Sequence, residues 1–266
     1  MKIFLDGEFI DERHALVSAL GDGLLFGEGV FETLGVRSGQ ALRSDAHLRR
    51  FRRSAEFLGL ELGLGALELT AVTREAILRN DLEDGALRLT LVAGTPRRPH
   101  LIVHPSPGDI YAAVRGSGAA VVFSRYRVDE ASPLCGHKLT SCVLHRLARR
   151  EAESAGANES LLCNTSGAIA EGARSNVFAV RGGAVLTPAL EEGGLPGITR
   201  AAAIQIMRAE GLSVSEGVLR QGDLALTDEL FLTSARMRAL SVVRLDGRIV
   251  GTGLPGPVAR RLGETL

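Results

Sequence analysis

Five two-residue turn signals limit the ways in which this chain can fold. Asp6-Gly7, Ser38-Gly39, Ser166-Gly167, Gly182-Gly183 and Asp246-Gly247 each stand between short apolar or alternating runs. Dipeptides of this kind suit the tight reversals of β-hairpins. They predict antiparallel pairs in both halves: 2–5 with 8–10, 30–37 with 41–43, and 242–250 folded about its centre. Between hairpins the period changes, and Leu48, Phe51, Ala55, Leu58 and Leu62 recur at helical spacing over 47–62, with Ser44 or Asp45 as N-cap. Further helices are predicted over 67–79, over 139–154 and from Gly197-Ile198-Thr199 onward. Further strands are predicted over 87–92, 110–114, 119–127 and 229–233. Helices mixed with antiparallel hairpins, without repeated βαβ units, make the fold class α+β. The stretch VDEASPLCGH at 128–137, broken by Pro133 and Gly136, lapses from both periods. It reads as a linker between a smaller N-terminal α/β domain, 1–127, and a larger C-terminal domain, 138–266.

Composition narrows the function. The 31 basic residues balance 31 acidic ones, aromatics make up 4% and Trp is absent, which disfavours a nucleic-acid partner. No apolar run approaches the roughly 18 residues of a membrane helix. Cys135, Cys142 and Cys163 stand in no metal-binding spacing, and the chain opens on KIFLDGEFI without a charged-then-apolar leader. The expectation is a soluble cytoplasmic protein that takes a small molecule and no metal.

Lys2 and Lys138 are the only lysines among those 31 basic residues. An amine can be brought into the nucleophilic range where a guanidinium cannot, so Lys138 is either an incidental survivor of Arg-rich composition or a residue kept for imine chemistry. Its position between the linker and a predicted helix favours the second. Glu171, at a hairpin end in IAEGARSNVF, is either a solvated turn residue or a carboxylate able to keep a ring nitrogen protonated. In LPGITRAAAIQIM, Pro196-Gly197 breaks the chain before a helix, so the amides of Ile198 and Thr199 can receive an anion or merely be capped. Arg50, in DAHLRRFRRS, can supply a matching guanidinium, although Arg49, Arg52 and Arg53 beside it are equally basic and of a kind usually just solvated. The glycines of GDGLLFGEGVFET precede a strand rather than a helix, so they are not a dinucleotide loop.

In chain order, FGEGVFET, the H-x-x-R of His47 to Arg50, Lys138, EGARSNVF, LPGITR and FLTSARMRALSVV resemble the motifs of the fold-type IV pyridoxal-phosphate enzymes. These include branched-chain and D-amino-acid aminotransferases and aminodeoxychorismate lyase. The resemblance spans almost the whole chain. It implies a two-domain D-amino-acid-aminotransferase-like fold, pyridoxal 5'-phosphate as cofactor and a homodimer. It also implies roles: Lys138 attaches the cofactor and moves the proton, Arg50 holds the phosphate, Glu171 partners the pyridine nitrogen and Leu195 packs on the ring. Gly197 and the amides of Ile198 and Thr199 complete the phosphate cup, and Ser175, Asn176, Ser234 and Ala235 join the cofactor set. One departure stands out: where some aminotransferases carry a phosphate-binding Thr, this chain has Ala235, followed by Arg236-Met237-Arg238.

Within that family, Thr33 and the SARMRALSVV segment resemble aminodeoxychorismate lyase, an enzyme of folate biosynthesis that releases 4-aminobenzoate and pyruvate. Thr33 would relay the proton to the departing fragment. GTPRRPH, with Arg98 and His100, instead resembles the carboxylate trap of D-amino-acid aminotransferases, and Arg236 is a further candidate for an acidic substrate. The lyase is the first expectation. An aminotransferase of D-amino-acid or branched-chain type is the alternative.

Overall fold

At Asp6 and Gly7 the backbone takes φ of 50° and 113°, at Ser38 and Gly39 47° and 70°, and at Asp246 and Gly247 47° and 75°. The chain reverses at each, as the turn chemistry requires. The structure, a computed structural model, describes residues 1–95 and 98–266. They form two compact units, one of Met1–Ile110 with His137–Cys142, the other of Tyr111–Gly136 with Val143–Leu266.

The first unit runs β1 (Lys2–Leu5), β2 (Glu8–Asp11), the single turn α1 (Asp22–Leu25), β3 (Gly29–Arg37), β4 (Gln40–Ala41), α2 (Ser44–Phe57), α3 (Ala66–Leu78), β5 (Gly85–Val92) and β6 (His100–Pro107). Its six strands lie in the order β2-β1-β6-β5-β3-β4, every pair antiparallel. Leu48, Phe51 and Ala55 of α2 pack with Val30 and Leu34 of β3 and Leu87 and Leu89 of β5 in one core. Two expectations shift here. The helix predicted to reach Leu62 stops at Phe57, where Gly59 turns out at φ 66°. Strand β6 was not foreseen, because Pro105 and Pro107 argue against a strand interior. It tolerates them because β1 reaches only Val103 and Ile102, so beyond His104 the strand has one neighbour and no ladder on its other edge loses a donor.

The second unit runs α4 (Ala112–Ser117), β7 (Ala119–Val128), α5 (Val143–Ser154), β8 (Glu159–Asn164), β9 (Ile169–Gly172), β10 (Asn176–Arg181), β11 (Ala184–Pro188), α6 (Ile198–Ala209), β12 (Val214–Gly217), β13 (Glu229–Ser234), β14 (Arg238–Leu245), β15 (Arg248–Ile249) and α7 (Pro257–Thr265). The nine-stranded sheet orders β12-β11-β10-β13-β14-β7-β8-β9, with β15 on β14. Predicted strand 110–114 is instead the start of α4, where paired alanines favour helix and Gly118 at φ 83° ends it. Three pairs are parallel: β7 with β8, β11 with β12, and β14 with β7. The first two are joined through α5 and α6, so single βαβ crossovers enter an α+β fold. One side of the sheet packs Phe178, Phe231 and Val185 against Ala203, Ile204 and Met207 of α6 and Ala259 and Leu262 of α7.

The division between units differs from the expected one at 128–137. Strand β7 pairs with β8 and β14, so it belongs to the second sheet. The peptide at Lys138, in turn, adds to the first: the Phe31 N–H donates to the Lys138 carbonyl at 2.9 Å and the Thr140 N–H to the Gly29 carbonyl at 2.8 Å. Being extended on β3, residues 138–140 cannot begin the helix predicted over 139–154, which starts at Val143. Among the described residues no helix is long and apolar enough to cross a membrane, and no group of His, Cys, Asp and Glu is set to hold a metal ion.

Candidate active site

Strand β3 alternates, so Val30, Leu34 and Val36 enter the core while Phe31 and Thr33 take the opposite face, half-buried. Glu32 falls on the core side and is 0% exposed. A carboxylate there demands partners. Arg50 of α2, itself buried, donates to it through Nε at 2.9 Å and Nη2 at 2.8 Å, and His47 Nδ1 lies 3.1 Å away. The Thr33 N–H donates to the same carboxylate at 2.8 Å. Burial pushes the Glu32 carboxyl up, but the close His47 imidazole and the Arg50 guanidinium outweigh it and hold the group at about 2. Arg50 is thereby locked in one orientation.

Lys138 is fastened by its N–H to Ser54 Oγ of α2 at 3.3 Å, and its Nζ stands 4.6 Å from the centroid of the Phe31 ring. The Arg88 guanidinium of β5 stands 3.8 Å from the same centroid. The register sets Arg88 beside Thr33 on one side and His104 on the other. Burial and the Arg88 charge both lower the His104 pKa. One face of this sheet thus carries an amine and a guanidinium around one aromatic ring, with the Thr33 side chain on the same face.

In the second unit, Glu171 is the penultimate residue of β9 and is 8% exposed. One carboxylate oxygen accepts from the Leu195 N–H at 2.9 Å, and the other lies 2.9 Å from His145 Nε2 of α5. Asn176 Nδ2 donates to the Leu195 carbonyl at 2.9 Å, so the backbone of one residue is held at both its N–H and its C=O three residues before α6 begins. The α6 N-cap is Gly197, which has no side chain to cap it. A Cβ at this position would run into Asn176 Oδ1, so glycine is required by close approach rather than by its φ of −66°. The first amides of a twelve-residue helix are thereby left to an outside acceptor.

The residues singled out in the sequence fall into these two groups. Lys138, Arg50 and Thr33 share the first unit; Glu171, Asn176, Leu195, Gly197, Ile198 and Thr199 form a continuous run of contacts in the second. Ser175 is buried, and its hydroxyl donates to Glu159 at 3.4 Å rather than to anything outside. Burial raises the Glu159 pKa, a rise that nearby Arg174 only partly offsets. Ser234 Oγ accepts from the Met237 N–H at 3.2 Å and shapes the turn that holds Ala235 and Arg236. His100 Nδ1 lies 2.6 Å from Asp6 Oδ2 and Arg98 is exposed, while Pro96 and Arg97 of the same motif lie outside the described residues. Sequence reasoning missed Glu32 and Arg88. The signal for Glu32 was present: a charge at a core position of the Val30, Glu32, Leu34 alternation.

Residues 29–245 match the family model described as amino-transferase class IV. The chain belongs to the class IV aminotransferases. A relative from Methanocaldococcus jannaschii that carries the name of a branched-chain-amino-acid aminotransferase is 32% identical, over 99% of this chain and 94% of that one. The D-alanine aminotransferase of Staphylococcus haemolyticus is 30% identical, over 99% and 95%. The T.th. branched-chain amino acid aminotransferase solved with pyridoxamine 5'-phosphate superposes with a TM-score of 0.93 at 28% identity, covering 99% of this chain and 92% of that one. Class IV aminotransferases are pyridoxal-phosphate enzymes, and so is this one. Its residues fit the cofactor: the uncapped start of α6 suits a phosphate dianion, and the buried Glu171 carboxylate, anchored on one oxygen by a backbone amide, suits a protonated ring nitrogen.

Proposed function

We propose that the protein moves the amino group of an amino acid with an apolar side chain onto a 2-oxo acid. The observation that carries this reading is the Phe31 ring with Lys138 Nζ at 4.6 Å and the Arg88 guanidinium at 3.8 Å. An amine able to exchange a proton and a guanidinium able to grip a carboxylate stand around one ring, the pairing that an amino acid presents to its enzyme. The names of the relatives, branched-chain and D-alanine aminotransferases, supply the apolar side chain.

Pyridoxal phosphate supplies, when bound, an aldehyde that takes up the amino group and a ring that draws electrons from the substrate's α-carbon. Lys138 would hold it through its amine and would carry the proton to and from that carbon. Glu171 keeps the ring nitrogen protonated, and the Leu195 N–H and His145 keep Glu171 in place. The amides of Ile198 and Thr199 receive the phosphate, and Glu32 sets the orientation of Arg50, the guanidinium that the family resemblance assigns to the same group. Arg88 receives the substrate carboxylate.

The lyase expectation rests on Thr33 and the SARMRALSVV segment, Thr33 above all. Its side chain does share the Phe31 face, but the relatives described above are aminotransferases, which favours amino transfer. The deciding experiment offers the holoenzyme L-leucine, L-valine and D-alanine with 2-oxoglutarate, and separately aminodeoxychorismate with no oxo acid. Glutamate formation supports amino transfer; pyruvate and 4-aminobenzoate without an acceptor would replace it with the lyase. A homodimer is part of the same reading, supported by Leu16, Leu20, Leu24, Leu25 and Phe26, which expose apolar side chains along one short stretch. Light scattering should report a dimer that Leu20→Ser with Phe26→Ser weakens.

A further inference from the structure

Thr233 is 1% exposed, and its Oγ1 has no hydrogen-bond partner among the described residues. A buried hydroxyl left unpaired costs free energy, so a fold that keeps one invites the question of what completes it. The side chain's direction follows from its strand. Glu229, Phe231 and Thr233 alternate onto one side of β13. Glu229 there accepts the Val258 and Ala259 amides of α7, and Phe231 stacks on Phe178 in the cluster that α6 covers with Ala203 and Met207. Thr233 therefore points to the α6 side of the sheet. Its level along α6 follows from the register: Thr233 pairs with Asn176, and Asn176 Oδ1 lies against Gly197, the residue at which α6 begins. The register thus sets an unpaired hydroxyl on the α6 side of the sheet, opposite the residue that packs on the uncapped start of this twelve-residue helix. Ala235, two positions on, has no hydroxyl to offer.

We propose that Thr233 is a phosphate ligand, its hydroxyl donating a hydrogen bond to an oxygen of the dianion received by the Ile198 and Thr199 amides. The proposal rests on the reading of the α6 N-terminus as the phosphate site and adds to it a side chain deep in the sheet. One dianion satisfies both deficits: it accepts from the helix amides along the axis and from the hydroxyl at the side.

The test compares pyridoxal phosphate with pyridoxal, which lacks the phosphate, by absorbance titration of the full-length apoprotein, with Tm of the apoprotein measured alongside. Thr233→Val keeps volume and branching and deletes the hydroxyl. It should weaken pyridoxal phosphate by about 10-fold or more, in line with loss of a charge-assisted hydrogen bond, and leave pyridoxal unchanged. Thr233→Ser should bind like the wild type. The apoprotein Tm of Thr233→Val should equal or exceed the wild-type value, because the variant removes an unpaired polar atom. Equal loss of both ligands with a lowered Tm would make the hydroxyl a packing element and overturn the proposal. Ile198→Pro separates the two layers of the argument: proline is accepted at the first position of a helix and removes the amide. If Ile198→Pro weakens only pyridoxal phosphate while Thr233→Val changes nothing, Thr233 is not a ligand and the α6 reading stands. If Ile198→Pro changes nothing, the α6 reading falls, and the Thr233 assignment falls with it.

Discussion

Replacing Glu32 by Gln tests the electrostatics under the proposed site. Glu32 is 0% exposed and bridges Arg50, which is 6% exposed, through two hydrogen bonds. Its carboxyl is held at about 2 against an ordinary 4.5. At about 1.36 kcal/mol per pKa unit, that difference is worth roughly 3 kcal/mol of folding free energy at neutral pH. The sign follows from the depression: the contribution is complete above pH 4.5 and disappears as the pH falls towards 2. Glu32→Gln keeps the shape but leaves the Arg50 charge buried without its counter-ion, a loss of about 3 kcal/mol or more. The wild type should therefore exceed the variant by roughly that amount at pH 7, and the gap should close between pH 4.5 and 2. Both tyrosines, Tyr111 and Tyr126, lie in the second unit and Trp is absent, so intrinsic fluorescence would miss the first unit. Urea denaturation followed by far-UV circular dichroism is the appropriate assay. Glu32→Met with Arg50→Met, which removes both charges, should recover much of the stability. A gap that stays constant from pH 7 to pH 2, or a Glu32→Gln protein as stable as the wild type at pH 7, would refute the reasoning.

Lys138→Ala and Lys138→Arg should both remove the borohydride-sensitive visible absorbance of the holoenzyme and lower kcat by at least the roughly 10²–10⁴-fold of a lost proton shuttle; near-normal turnover in either would displace Lys138 from its role. Glu171→Gln should cut kcat far more than it loosens cofactor binding, read by turnover beside a cofactor titration, and proportionate losses would mark a structural residue instead. Arg88→Leu should raise KM for the amino acid by about 10-fold or more while the cofactor stays bound, as expected when a charge-assisted hydrogen bond of about 1.5–3 kcal/mol is lost. An unchanged KM would assign the carboxylate elsewhere.

Local chemistry was legible without coordinates. The turns at Asp6-Gly7, Ser38-Gly39 and Asp246-Gly247, the start of α6 after Gly197 and strand 229–233 follow from preferences that act over a few residues, and they stand where the sequence reading put them. The motif order was legible as well, because it is a linear property, and it led to a family that the comparison bears out. What the tertiary structure decided is where distant segments meet. Lys138 is a lone lysine in the sequence. Only the pairing of residues 138–140 with Gly29 and Phe31, more than a hundred residues earlier, makes it an edge residue of the first sheet and brings its amine to the Phe31 ring. Glu32 and Arg50 stand 18 positions apart, and no short-range rule pairs a strand carboxylate with a helix guanidinium. Thr233 is an ordinary strand threonine until its register sets it opposite Asn176, the residue that packs on the start of α6. Strand β7 joined the second sheet through parallel partners, whose crossover leaves no turn signature to read. A residue's own conformational preferences extend about one turn or one hairpin. Which buried charge finds which counter-ion is settled by the packing of the whole core, where an unpaired group is too costly to leave.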